Sequence, residues 1–227
     1  MDGWSSGLRR LAGALLASIL PADCFLCARI LPWRQEGSVC LPCWSTLPWE
    51  PGYRPGRGPL GALLWAADYE GPAGRLVRGL KFEDMDYLAP PLGREAARCL
   101  APLIGVLRPD LVVPVPLHWW RRSRRGFNQA ELLARALAHR AGLPLSTRAL
   151  VRCRAGRRQL GLSRQERLRA LSGCYLARAS RVRGLTILLV DDVVTTGATL
   201  EACARALLQA GAFGVIGSAL TRTPKTP

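Results

Sequence analysis

The residues best suited to chemistry lie at 190–199, where Val190-Asp191-Asp192-Val193-Val194-Thr195-Thr196-Gly197-Ala198-Thr199 joins two carboxylates to three threonines around a glycine. Gly197 lets the backbone turn tightly with no Cβ in the way. The segment then enters a helix, whose first-turn N–H groups and dipole favour an anion. Thr195, Thr196 and Thr199 add hydroxyl donors for a phosphate. Asp191 and Asp192 would repel a bare phosphate, so the ligand must also offer hydroxyl donors, as a ribose does with its 2′ and 3′ groups. Mg²⁺ bridging ribose and pyrophosphate oxygens would ease the repulsion further. The expectation is a ribose 5-phosphate site, with Asp191 and Asp192 on the ribose and the stretch from Val193 through Ala198 to Thr199 around the phosphate. Acids that only cap the next helix would need neither a pair of carboxylates nor three threonines. The chain has no Walker-type glycine run ending in Lys-Ser/Thr, and this loop is not a Gly-x-Gly-x-x-Gly turn. Nucleoside triphosphates and dinucleotides are therefore disfavoured there.

Cys24-x-x-Cys27 and Cys40-x-x-Cys43 form a second constellation, with twelve residues between the pairs. Two-residue spacers let both thiolates of a pair reach one metal, and four thiolates complete a closed tetrahedral Zn²⁺ site. A redox pair is the alternative, but two such pairs in a loop-rich segment suit a metal better. A closed four-sulfur site has no open position for catalysis, so the expected role is folding a module with too few apolar residues to fold alone. Cys99, Cys153, Cys174 and Cys203 are scattered singly in apolar or helical surroundings. That division argues for a reducing, cytoplasmic setting and against a secreted disulfide framework.

The elements that must position these residues follow from periodicity. Leu185–Val190 is uncharged and rich in β-branched residues and leucine, as expected of a strand buried on both faces. A helix is expected from about Ala198 to Ala210, stopped by Gly211, and a last strand over Phe213–Leu220. Strands are also expected at Leu63–Tyr69, Leu111–Pro116, Arg148–Arg152 and Gly173–Ala177. Helices are expected over Met85–Gly105 and from Asn128, where Glu131 completes a capping-box pattern. Strands alternating with helices predict a parallel α/β sheet, whose ligands bind at the carboxyl ends of the strands. Residues 1–58 read as a short helix followed by the cysteine module, residues 63–222 as the α/β domain, and the prolines and glycines of 48–61 as the link between them.

The net charge is +16, and only Lys81 and Lys225 among the basic residues are lysines. Such a balance suits a polyanion, nucleic acid or phosphorylated metabolite, although arginine preference also accompanies GC-rich coding. Lys81 is retained in a chain that otherwise uses arginine, which marks it as a candidate ligand contact. The apolar run Leu11–Leu20 follows two arginines in the outline of a signal peptide, but no small-x-small cleavage site ends it. No apolar run reaches the length of a membrane span.

These motifs resemble the signature of the type I phosphoribosyltransferases, and the chain is similar to one branch of them, the ComF family of competence-associated proteins. The resemblance is carried by the cysteine pairs, Leu80-Lys81-Phe82, Val113-Pro114-Val115-Pro116-Leu117, Arg125-Gly126-Phe127-Asn128-Gln129, Gln159 with Leu162 and Arg167, and the loop at 190–199. It spans residues 20 to 222 in one order. It implies a type I phosphoribosyltransferase fold with a small N-terminal four-cysteine zinc module, and binding of 5-phosphoribosyl-1-pyrophosphate with Mg²⁺. It further implies that Leu117 and His118 open the pyrophosphate loop, that Arg125 contacts phosphate oxygens, and that Arg157 and Gln159 belong to a hood over the substrate. An Asn common in the family before a Gly-x-aromatic strand is missing from 168–175, which leaves that loop's part in catalysis open. Single-stranded DNA and competence proteins are the other partners the resemblance implies. Transferase and DNA-handling accessory protein both remain open, and neither the acceptor nor the oligomeric state is written in the sequence.

Overall fold

The structure, a computed structural model, describes residues 23–31, 39–56, 58–82, 85–117, 127–153, 166, 170–171 and 173–224. The chain divides into two compact units, Met1–Leu47 and Pro48–Pro227.

In the first unit, Cys24 accepts from the Ala28 N–H and donates to the Arg29 carbonyl, both at 2.8 Å, and Asp23 bridges Ile30. This tight turn carries the first cysteine pair. The second pair sits on a one-turn helix, α1 (Leu41–Ser45), with Cys40 at its N-cap, Cys43 within it and a proline in its first turn. Proline is tolerated there because the N–H it lacks has no helical acceptor.

The second unit is built on a five-stranded sheet. Its strands are β1 (Gly52–Pro55), β2 (Ala62–Asp68), β3 (Leu111–Pro114), β6 (Thr186–Val194) and β7 (Gly214–Arg222), in the order β1-β2-β7-β6-β3. The pairs β2–β7, β7–β6 and β6–β3 are parallel, and β1 is an antiparallel edge. The helices are α2 (Gly71–Phe82), α3 (Ala89–Leu107), α4 (Gln129–Ala141), α5 (Ala179–Val182) and α6 (Ala198–Gln209). β4 (Leu150–Arg152) and β5 (Tyr175–Ala177) form a separate antiparallel pair. No helix among the described residues is long and apolar enough to cross a membrane.

Most expected elements are present with shifted ends. β6 runs four residues beyond Val190, through both aspartates, because its far end still pairs with β7 as far as Val194↔Arg222. The helix expected at Asn128 forms with that residue as N-cap, its side chain accepting from the Ala130 N–H at 3.1 Å. Glu131 pairs with Arg135 one turn on, at 2.7 Å. Among the elements that were not expected, two help to build the sheet unit. β1 lies in the stretch read as a linker, where Gly52 is required because a Cβ would come within 2.0 Å of the Trp65 ring. α2 contains Gly71, Pro72, Gly74 and Gly79, which mask its helical pattern. Gly74 belongs there because a Cβ would meet the Tyr69 carbonyl at 1.8 Å.

Burial explains why the sheet holds its place. Ile187, Leu188, Leu189 and Val190 of β6 are each at most 1% exposed, so both faces of the strand are covered. On one face Ile187 and Leu189 join Leu200, Cys203, Ala204 and Leu207 of α6 and Tyr175 of β5 in a continuous core. α3 and α4 pack closely on each other at Gly93, where a Cβ would stand only 2.8 Å from that of Ala136.

Candidate functional site

β6 ends and α6 begins around a cleft of about 280 Å³, lined by Asp191 and residues 193–200. The local cause is Gly197, which adopts φ 80° and ψ 0° in the left-handed region and serves as the N-cap of α6. A side chain there would have room, so the conformation sets the requirement for glycine. The Gly197 carbonyl starts the helix by accepting from the Glu201 N–H at 2.9 Å. The first-turn N–H groups of α6 have no acceptor within the helix, and Ala198, Thr199 and Leu200 of that turn line the cleft. The Ala198 N–H has only a long contact to the Thr196 hydroxyl, at 3.4 Å. Such a cradle suits a phosphate.

The two aspartates point to opposite faces of the sheet, as successive strand residues do. Asp192 turns toward α2, where the Lys81 ammonium reaches its carboxylate at 2.9 Å, with both side chains mostly buried. Asp191 lies on the side of Tyr175 and Cys203, and its charge helps push both of those groups up, secondary in each case to burial. Burial pushes the Asp191 carboxyl itself up to about 7, the Asp192 charge adds to the rise, and Lys81 and the Asp192 N–H oppose it. That N–H donates to Asp191 Oδ1 at 2.9 Å, and the Val193 N–H donates to Asp192 Oδ1 at 2.7 Å. Each carboxylate is thus anchored by the backbone, and Asp191 lines the cleft while Asp192 is held by Lys81 on the other face.

Of the sequence-derived candidates, Asp191, Asp192, Val193, Thr195, Thr196, Gly197, Ala198 and Thr199 are brought together at this strand end, with Lys81 on Asp192. Leu117 is described, three residues past β3 on the strand edge beside β6. His118, Arg125, Arg157 and Gln159 lie outside the described residues.

Three buried polar residues near the site were not singled out as site residues from sequence. Glu201 is 5% exposed in the first turn of α6, where a carboxylate is favoured by the helix dipole. Asn128 donates to the Val115 carbonyl at 3.1 Å, and Gln129 donates to the Leu80 carbonyl at 3.4 Å. A polar pair at the start of α4, just ahead of the buried Ala130, Leu133 and Ala134, was the available signal for the last two.

In the N-terminal unit the sulfurs of Cys24, Cys27, Cys40 and Cys43 all lie within 4.8 Å of one another. Zn–S bonds of about 2.3 Å in a tetrahedron put sulfurs about 3.8 Å apart, and Cys27 and Cys40 are separated by 3.7 Å. The four residues therefore fit a metal ion such as zinc. Burial by itself would raise the Cys24 thiol, but backbone N–H donors, that of Cys40 foremost, pull it down to about 6. Thiol hydrogen bonds from Cys40 and Cys27 push Cys43 up to about 12. Four thiols at this spacing compete for protons as they would compete to share a cation.

Comparison with known proteins agrees with the architecture. Residues 123–224 match the family model of the phosphoribosyl transferase domain, and the sheet with its acid-threonine-glycine loop is a type I phosphoribosyltransferase fold. The chain is 36% identical to DNA utilization protein YhgH of Salmonella typhimurium over 214 residues, covering 88% of this chain and 90% of the relative. It is 30% identical to Competence protein F of Haemophilus influenzae over 148 residues, 63% of this chain and 65% of the relative. Competence protein ComFC of Bacillus subtilis is 38% identical over 109 residues, 48% of this chain and 42% of that protein. With a four-cysteine cluster ahead of a phosphoribosyltransferase domain, and relatives of these names matched along it, the chain belongs to the ComF family.

Proposed function

We propose that the cleft at the end of β6 binds 5-phosphoribosyl-1-pyrophosphate together with Mg²⁺, and that the four thiols hold a structural Zn²⁺. One observation carries the first part: a backbone-anchored pair of carboxylates ends the strand, and Asp191 of that pair shares one cleft with a helix N-terminus opened by a left-handed glycine. The helix end and the threonines supply donors for the 5-phosphate, and Asp191 and Asp192 supply acceptors for the ribose hydroxyls. Neither half alone calls for a sugar phosphate. In this reading an acceptor nucleophile forms a bond to the ribose C1 as the bond from C1 to pyrophosphate breaks, and a bound Mg²⁺ would supply positive charge for the departing pyrophosphate. His118, Arg125, Arg157 and Gln159 are assigned to the pyrophosphate side on the resemblance alone. The setting is cytoplasmic, in the use of incoming DNA, on the strength of the relatives' names.

A second reading, single-stranded-DNA handling without transfer, is favoured by those names and by the net charge of +16. Calorimetric titrations with phosphoribosyl pyrophosphate and with oligothymidylate, each over a salt series, separate the two. The first reading expects saturable sugar-phosphate binding that Asp192→Asn removes. Oligothymidylate binding that weakens steeply with salt, with no sugar-phosphate binding at all, would replace it with the second.

A further inference from the structure

The Lys81–Asp192 ion pair depends on the last turn of α2, and that turn has an unusual partner. Helix C-termini leave four carbonyls without helical donors. In α2 one of them, Gly79, accepts from the Met85 N–H at 3.4 Å. The next, Leu80, belongs to a residue 1% exposed, so water is no ready substitute. Its carbonyl accepts instead from the side-chain amide of Gln129, forty-nine residues further along the chain and 2% exposed. The following residue is Lys81, whose ammonium lies on Asp192. Gln129 is itself fixed, because Asn128 caps α4 and holds the Val115 carbonyl at 3.1 Å, while the Val115 N–H donates to Val190 of β6 at 2.8 Å. A closed path therefore runs from β6 through Val115, Asn128, Gln129 and Leu80 to Lys81, and back to β6 at Asp192.

We infer that Gln129 is a positioning residue: by holding the Leu80 carbonyl it sets Lys81 over Asp192 and so orients one carboxylate of the pair. Neighbouring helix residues differ by about 100° in direction, so a small unwinding of the last turn is enough to swing Lys81 off its partner. An apolar residue would fill the same volume without holding the carbonyl, which is why an amide stands at this buried position.

The consequence for ligand binding rests on the sugar-phosphate reading above, whereas the placement of Lys81 does not. The test is amine labelling of the full chain, read by peptide mass spectrometry. Lys225 is the one other lysine and serves as internal control. In Gln129→Met, with folding checked by circular dichroism, Lys81 should label about fivefold faster relative to Lys225, as expected from losing a modest ion pair, and approach the rate in Asp192→Asn. Unchanged Lys81 labelling in Gln129→Met, with faster labelling in Asp192→Asn, overturns the inference. If Gln129→Met does not fold, Gln129→Asn, which keeps an amide but withdraws it by one methylene, is read the same way. In a double-mutant cycle on phosphoribosyl pyrophosphate affinity, Gln129→Met should cost nothing further once Lys81 is methionine; fully additive losses contradict the coupling. If the wild-type chain does not bind the sugar phosphate, the functional reading fails, and the labelling still decides the role of Gln129.

Discussion

The cysteine module and the loop after β6 are both ligand sites in outline, yet they are held in opposite ways. The loop is shaped by a covered strand on one side and a helix anchored by Leu200, Cys203 and Leu207 on the other. Its geometry exists before any ligand arrives. In the described part of the first unit, the buried apolar residues are Cys24, Leu31, Val39, Cys40 and Leu47, and two of these are the proposed metal ligands. So small a core cannot offset the entropy of ordering the segment. In the proposed reading the first site would be made by its metal, whereas the second is made by the sheet.

The largest effect that could break this contrast comes from metal removal. Chelation, or Cys40→Ser, should release about one zinc per chain and abolish amide-exchange protection over the described residues of the first unit. The stabilisation at stake is on the order of 10 kcal/mol, judged from small zinc domains. Protection of β6 and α6 should persist. Full protection of the first unit after chelation would mean that the thiols are not its staple.

A smaller effect sharpens the claim that the loop is prebuilt. Gly197→Ala places a Cβ on a backbone at φ 80°, in open space. It should cost about 1–2 kcal/mol through conformation alone, measured by urea unfolding. A neutral result would show that the loop relaxes freely and is not held by its flanks.

The last effect concerns pH. The folded chain holds the Asp191 proton more tightly than the unfolded chain, because the carboxyl is raised from 3.8 to about 7. The folded state therefore binds more protons between those values, and the stability associated with this group is full below the lower one and lost as pH rises through the upper one. Asp191→Asn should raise the melting temperature at pH 8 and leave it unchanged at pH 4. An equal change at both values would show that ionisation of Asp191 is not the cause.

Much of this was legible in the sequence because the signals were local. The spacing of the four cysteines, the turn at Gly197 and the cap at Asn128 each depend on a few neighbouring residues. The uncharged run Leu185–Val190 announced a strand covered on both faces. Its extension through Asp191 and Asp192 was hidden, because pairing with β7 overrides the usual aversion of strands to acids. α2 was hidden by its glycines, of which Gly74 packs closely against Tyr69, a residue outside the helix. Lys81 stood out by rarity and by the Leu80-Lys81-Phe82 stretch of the resemblance, but its partner Asp192 lies more than a hundred residues away. The role of Gln129 was invisible, since a hydrogen bond to a distant carbonyl leaves no pattern in either segment.

The central claim is that the loop at 191–199 holds a 5-phosphoribosyl group through Asp192. Thermal unfolding with phosphoribosyl pyrophosphate and Mg²⁺ tests it most directly, compared with pyrophosphate and Mg²⁺ and repeated on Asp192→Asn. At about 100 times its dissociation constant the ligand should add roughly 2.7 kcal/mol, in the wild-type chain only and beyond any effect of pyrophosphate. A shift no larger than that of pyrophosphate, or one that Asp192→Asn leaves intact, would contradict the claim.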